Sequence, residues 1–180
     1  MKKATVLAAV FLLCGVPASQ VARADGDADL IKSAESAAPA TISSAAAIYA
    51  VGSDGKMKTL REGTNGWWCM PDDTSNPRPD PMCGDANSMD WVMAWINHTV
   101  PAKGKVGFIY MLQGGSDASN MDPYAAPPAD GKWVITGPHV MVMNAVDMMA
   151  GYKGGPNPDT SKPYIMYEGT PYAHLMIPVQ

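Results

Sequence analysis

Short apolar stretches separated by clusters of Gly, Pro, Asp and Asn recur along this chain of 180 residues, a pattern typical of β-strands joined by turns. Stretches of this kind occupy residues 47–51, 57–61, 106–112, 139–143, 164–167 and 173–179. The turn residues Ser53-Asp54-Gly55 separate the first two stretches, so we expect those two to form a hairpin.

Two further segments have helical signals. Residues 29–38 place small and aliphatic side chains on one side and end before Pro39. Residues 86–97 follow Asp85, a typical N-cap residue. The apolar stripe of this second helix consists of Met89, Val92, Met93 and Ile96. Because helices and strands do not alternate regularly, the order predicts an α+β fold, a mostly antiparallel sheet with one or two short helices. An all-β fold with one helix is the alternative.

The N-terminus has the features of a secretory signal peptide. Two lysines precede an uncharged and mostly apolar segment, and Ala22-Arg23-Ala24 is a typical cleavage site. The apolar segment is shorter than the roughly 20 residues that span a bilayer. We therefore expect residues 1–24 to be removed and residues 25–180 to form a single globular domain, periplasmic or secreted. A buried N-terminal helix is the alternative.

The charge of the chain narrows the range of partners. The 13 basic and 17 acidic residues give a net charge of −4, and three of the basic residues lie in the expected signal peptide. An acidic surface without a basic cluster is atypical of proteins that bind nucleic acids or anionic membranes. No second apolar segment approaches transmembrane length, so we expect no membrane span in the mature protein. The composition leaves the oligomeric state open.

Cys69 and Cys83 are the two cysteines that follow the signal peptide. In an oxidising compartment such a pair favours a disulfide. The segment between them contains four prolines and has little helix or strand signal, so a covalent link would hold it in place. A link across this separation stabilises a fold by about 3 kcal/mol on the chain-entropy model. A thiolate metal site and a reactive thiol are the competing interpretations.

Two predicted strands place histidine and methionine at alternate positions, which share one face of a strand. The residues are His139, Met141 and Met143 in one strand, and His174 and Met176 in the other. Each histidine follows a proline-containing turn, which predicts that both lie at equivalent ends of the sheet on one shared cleft. Imidazole and thioether ligands suit copper, and Cu(I) above all. Methionine also fills irregular cores, so a purely structural role is the alternative.

The loop 114–123 is the second candidate site. Its two glycines let backbone amides approach a ligand closely. The side chains expected to bind a small molecule are those of Ser116, Asp117, Asn120 and Asp122, with Trp67 as an aromatic contact. The alternative is a turn whose polar side chains bond their own backbone.

Several longer stretches are distinctive as a set. They are Asn65-Gly66-Trp67-Trp68-Cys69, Asp80-Pro81-Met82-Cys83, Gly114-Gly115-Ser116-Asp117-Ala118-Ser119-Asn120, Gly137-Pro138-His139-Val140-Met141 and Thr170-Pro171-Tyr172-Ala173-His174-Leu175-Met176. Together they resemble an uncharacterised family of small exported bacterial proteins. The resemblance covers nearly all of the chain after the signal peptide. It implies a secreted single-domain protein and no particular activity.

Three hypotheses about function remain open at this point. The first is a binding protein of the cell envelope that holds a small molecule or a soft metal ion near the two His-x-Met segments and the loop 114–123. The second is a small secreted enzyme in which a histidine and an aspartate carry acid–base chemistry. The third is a structural or interaction module without a ligand.

Overall fold

A computed structural model describes the backbone of residues 18–179 and the side chains of residues 26–179. Residues 1–17 of the expected signal peptide lie outside this range. The helices within it are α1 (Ala18–Glu35), α2 (Ala40–Ser43), α3 (Ala86–Ile96) and a short 3₁₀ helix (Val146–Met148). The strands are β1 (Ala47–Val51), β2 (Met57–Arg61), β3 (Trp68–Met70), β4 (Met82–Gly84), β5 (Gly107–Met111), β6 (Gly115–Asp117), β7 (Val134–Thr136), β8 (His139–Met143), β9 (Tyr164–Met166) and β10 (His174–Pro178).

Eight of these strands form one sheet in the order β2-β1-β3-β4-β5-β8-β10-β9. All neighbours in this sheet are antiparallel except β1 and β3, which run parallel. The strands β6 and β7 pair separately as a two-stranded ribbon. The predicted α+β fold with a mostly antiparallel sheet is therefore confirmed, with three α-helices where one or two were expected.

Helices cover the two faces of the large sheet at different places. Helix α1 lies against one face of β1, β3 and β4, where its small residues pack on Ile48. Helix α3 crosses the other face, over β4 and β5. Gly84 and Gly107 permit this close approach, because a Cβ atom at either position would collide with Ser88 in the first turn of α3. The helix is capped as predicted, since the Asp85 carboxylate accepts from the Ser88 amide at 2.8 Å.

The buried stripe of α3 differs from the predicted one. Trp91 and Val92 are the large apolar side chains that the helix buries, whereas Met93 is 39% exposed and Ile96 is 45% exposed. An indole ring removes more apolar area from water than a thioether chain. The helix is therefore rotated so that Trp91 and Val92 face the sheet, while Met89 and Trp95 are partly buried against the same cluster.

The predicted disulfide is present between Cys69 and Cys83, with an S–S distance of 2.04 Å. The two cysteines are paired in register on β3 and β4, and both are fully buried on the side of the sheet that α1 covers. Because both sulfurs are in this bond, neither is available as a thiolate. The alternatives of a thiolate metal site and of a reactive thiol at these cysteines are therefore wrong.

The helices of residues 18–179 contain no segment with the length and hydropathy required to cross a membrane.

Candidate functional site

A cleft of about 1110 Å³ opens on the face of the sheet that α3 partly covers. Helix α3 and parts of the segments 70–80 and 116–127 form its walls, and the sheet forms its floor. Seven methionines from six neighbouring strands contribute to this floor: Met70, Met82, Met111, Met141, Met143, Met166 and Met176. We call it the methionine-lined cleft.

The register of the strands explains why so many methionines share one face. Met70 is paired with Met82, Met111 with His139, and Met141 with Met176. Paired residues in neighbouring strands point to the same face, and residues two positions apart in one strand do so as well. The methionines of neighbouring strands therefore lie side by side with the two His-x-Met segments and form a continuous layer of thioethers.

His139 is held by the turn that precedes β8. Its Nδ1 atom lies 2.8 Å from the carbonyl oxygen of Gly137, and the side chain is almost fully buried. Because a carbonyl only accepts, Nδ1 carries the proton and Nε2 carries the lone pair. No hydrogen-bond partner for Nε2 exists among residues 26–179. Burial lowers the pKa of His139, and the hydrogen bond to Gly137 offsets part of this effect.

His174 repeats this arrangement at the start of β10. Its Nδ1 atom lies 2.9 Å from the carbonyl oxygen of Tyr172, and its Nε2 atom also lacks a partner in the described part of the chain. The rings of Trp91 and Tyr167 enclose the imidazole edge-on, with centroids at 5.3 and 5.4 Å. The pKa of His174 is lowered to about 4, mainly by burial and in smaller part by the charge of His139, while the hydrogen bond to Tyr172 acts in the opposite direction.

The two histidines line the same cleft, but they do not lie at equivalent ends of the sheet. Strands β8 and β10 are antiparallel neighbours, so His139 pairs with Pro178 and lies four residues along the ladder from His174. The prediction of equivalent ends was wrong because proline-containing turns specify how a strand begins and not the direction of its neighbour.

The predicted polar wall is present in part. Ser116, Asp117 and Asp122 line the cleft, and the hydroxyl of Ser116 is buried without a partner within residues 26–179. Asn120 instead anchors the loop, because its Nδ2 donates to the carbonyl oxygens of Gly155 at 2.7 Å and Ile165 at 3.0 Å. Residues 115–117 of the predicted loop form strand β6. Three residues are too few to show the alternation of apolar and polar positions, so this strand was not predicted.

Asp117 is the carboxylate with the most altered acidity in the cleft. Burial raises its pKa to about 7, the neighbouring Asp80 carboxylate adds to the increase, and the Tyr167 hydroxyl opposes it by hydrogen bonding to the charged form. Tyr167 has a φ of 58°, a strained conformation for an aromatic residue. Its backbone is held in place because its amide donates to the carbonyl of Asn120 at 2.8 Å.

Trp67 does not contribute to the cleft. It packs on the opposite face with the cluster around the disulfide, and its ring lies 5.8 Å from that of Tyr110. The tryptophans that do line the cleft are Trp91, Trp95 and Trp133. The indole nitrogen of Trp91 is buried and has no hydrogen-bond partner among the described side chains and backbone.

Four cleft methionines were missed by the analysis of the sequence, namely Met70, Met82, Met111 and Met166. Met111 and Met166 are the register partners of His139 and His174. A motif search along the chain could not have found them, because register between strands that are distant in sequence is a tertiary property.

Within residues 26–179, no three or more residues of the types His, Cys, Asp and Glu are grouped so that they could hold a metal ion. A metal site in this cleft must therefore depend on the thioethers. Comparison of the chain with known proteins finds no matching family model, no matching curated protein and no matching solved structure. The resemblance to small exported bacterial proteins stays a prediction.

Proposed function

We propose that this protein binds soft metal ions in the methionine-lined cleft, with Cu(I) preferred and with His139 and His174 as nitrogen ligands. The observation that carries the proposal is the identical state of the two histidines. Each has Nδ1 hydrogen-bonded to the backbone carbonyl two residues earlier, and each has Nε2 buried without a partner in the described residues.

This arrangement is the one that histidine ligands of metals adopt. A metal-binding imidazole donates its other ring N–H to a carbonyl or carboxylate, which fixes the tautomer and orients the lone pair. A buried acceptor that makes no bond costs about 1 to 3 kcal/mol of stability. Two such acceptors in one cleft therefore point to a ligand that supplies the missing interaction.

The methionines determine which metal fits. Thioethers are soft ligands that select Cu(I), whereas carboxylate and water ligands favour Mg²⁺, Ca²⁺ and Mn²⁺. The thioethers level with the histidines in register, those of Met111, Met143 and Met166, are buried in the same apolar cluster. Burial lowers the pKa of both imidazoles and so favours their neutral form, which metal binding requires. With the expected signal peptide, the protein would act as a copper-binding protein of the cell envelope.

Asp117 supports a second candidate, a small enzyme that uses acid–base chemistry. A carboxyl group with a pKa of about 7 can accept and donate protons at neutral pH. It lines the same cleft as the unpartnered Ser116 hydroxyl and Trp91 indole nitrogen, which could orient a small polar substrate.

The test of the first proposal is a Cu(I) titration of protein purified without a histidine tag, in competition with the chelator bicinchoninate. We expect wild-type protein to remove Cu(I) from the chelator, and X-ray absorption to show both nitrogen and sulfur neighbours. The double variant His139→Gln/His174→Gln should lose at least 100-fold in affinity.

His98→Gln is the matched control, because His98 stacks on Tyr124 at 4.1 Å and does not line the cleft. It should bind Cu(I) like the wild type. Equal affinities of the double variant and the wild type would contradict the proposal. A wild-type protein that takes no Cu(I) but loses a catalytic activity on Asp117→Asn would favour the enzyme instead.

A further inference from the structure

We propose that the methionine-lined cleft holds two Cu(I) ions, one at each histidine, and not a single ion shared by both. The first position consists of His139 with Met111 and Met141, and the second of His174 with Met143, Met166 and Met176. This inference rests on the proposed function and adds the stoichiometry and the ligands of each ion.

The register of β8 and β10 separates the two histidines. His139 is paired with Pro178, which is four positions from His174 along β10. At about 3.4 Å per residue, the two Cα atoms are separated by roughly 14 Å along the strand direction. Side chains stand roughly perpendicular to a sheet, so the two imidazoles start from well-separated levels of the ladder.

The hydrogen bonds of the two rings lie at opposite ends of the strand pair. The carbonyls that accept from His139 and His174 belong to Gly137 and Tyr172, which precede their strands. Since β8 and β10 are antiparallel, these two anchors lie beyond opposite ends of the strand pair. Each ring is thus tied on the side that faces away from the other histidine.

Each histidine has its own thioethers in cross-strand positions. Met111 of β5 is the register partner of His139, and Met166 of β9 is the register partner of His174. Paired residues of an antiparallel ladder have Cβ atoms about 4.5 to 5.5 Å apart, within reach of a shared ion. Continuing the register by one residue beyond the pair of Leu175 and Val142 places Met143 opposite His174.

Met141 and Met176 face each other between the two positions. Each is two residues from a histidine in its own strand, and therefore on the same face as that histidine. One nitrogen with two or three sulfurs is a complete ligand set for a soft monovalent ion. Because like charges repel, the second ion is expected to bind more weakly than the first.

The experiment counts Cu(I) per folded chain by competition with bicinchoninate, for the wild type and for single variants at each position. We expect two equivalents for the wild type with two separable affinities. His139→Gln and His174→Gln should each keep one equivalent. Met111→Leu should weaken one equivalent at least tenfold, and Met166→Leu should weaken the other.

Met148→Leu is the matched control, because Met148 is 63% exposed and lies outside the cleft. It should retain both equivalents. Circular dichroism of every variant verifies that it is folded. One equivalent in the wild type, abolished by either histidine substitution, would overturn the two-ion inference and leave the proposed function intact. No bound Cu(I) in the wild type would overturn both.

Discussion

The two faces of strands β8, β9 and β10 are both buried, yet they are built from different side chains. The cleft face carries histidine, tyrosine and methionine, and the opposite face carries aliphatic residues. On the cleft face are His139, Met141, Met143, Tyr164, Met166, His174 and Met176. On the opposite face are Val142, Ile165, Leu175 and Ile177, joined by Ala145, Met149 and Ala173.

This difference cannot come from strand propensity, because both faces belong to the same three backbones. Branched aliphatic residues suffice for a strand core, as the opposite face shows. The cleft face uses unbranched thioethers and imidazoles where equally buried aliphatic residues would fold as well. Both faces are therefore protein core, and what distinguishes them is that the methionines of one face also line the cleft in which the proposed ligand would bind.

The largest effect on stability is expected on the aliphatic face. Leu175 is buried there, and Leu175→Ala removes three carbons and leaves a cavity. We expect the free energy of unfolding to fall by about 2 to 5 kcal/mol, measured by urea denaturation. Cu(I) affinity of the folded protein should not change. An affinity loss as large as that of His174→Gln would show that the two faces are not functionally distinct.

The disulfide provides the next test, because Cys69 and Cys83 join β3 and β4 on the side opposite the cleft. Replacing both cysteines with alanine should lower the free energy of unfolding by about 3 kcal/mol, the value expected for a separation of 14 residues. Thermal and urea denaturation measure this change. The wild type should have no titrating thiol at Cys69 or Cys83 after denaturation without reductant, and two free thiols there would contradict the bond.

Six of the ten strands within residues 18–179 were predictable from the sequence because each carries its own local signal, whereas the three-residue strands β3, β4, β6 and β7 were not. Strands β1, β2 and β8 have the predicted bounds, and the helix after Asp85 begins where its N-cap indicates. The disulfide followed from the number of cysteines and the expected compartment. These features depend on residues that are close together in the chain.

The cleft was only half predictable, for a physical reason. The alternation of His139, Met141 and Met143 is visible in one strand, but their partners Met111 and Met166 come from strands that are identified only by the sheet order. Trp67 was misplaced because adjacent tryptophans in a strand face opposite sides, and the sequence does not specify which side holds the cleft.

The cleft also contains a carboxyl group with a raised pKa, that of Asp117, and the variant Asp117→Asn tests this shift. The raised pKa of Asp117, about 7 against an ordinary 3.8, means that the fold disfavours the charged form. The stability that this group contributes is complete below pH 3.8 and is lost as the pH rises through 7. The variant should therefore be more stable than the wild type at pH 8, with no such gain at pH 4, as measured by melting temperatures.

His174 titrates in both proteins of that comparison, so its effect cancels in their difference. Its lowered pKa of about 4 destabilises the fold as the pH falls from 6.5 toward 4. Asp147→Asn is the control, because Asp147 lies in the exposed 3₁₀ helix and does not line the cleft. An equal gain at pH 4 and pH 8 for Asp117→Asn would contradict the raised pKa.

The smallest effect on stability, and the sharpest contrast between the faces, is expected from replacing one methionine on each face with leucine. Met176 is 1% exposed on the cleft face, and Met149 is 5% exposed on the opposite face. Leucine nearly conserves the volume, so each substitution should change the free energy of unfolding by less than about 1.5 kcal/mol. Only Met176→Leu removes a thioether from the cleft, and it should lower Cu(I) affinity at least tenfold in the chelator competition. Met149→Leu should bind as the wild type does. If the two variants bind Cu(I) equally well, the methionines of the cleft face serve packing alone.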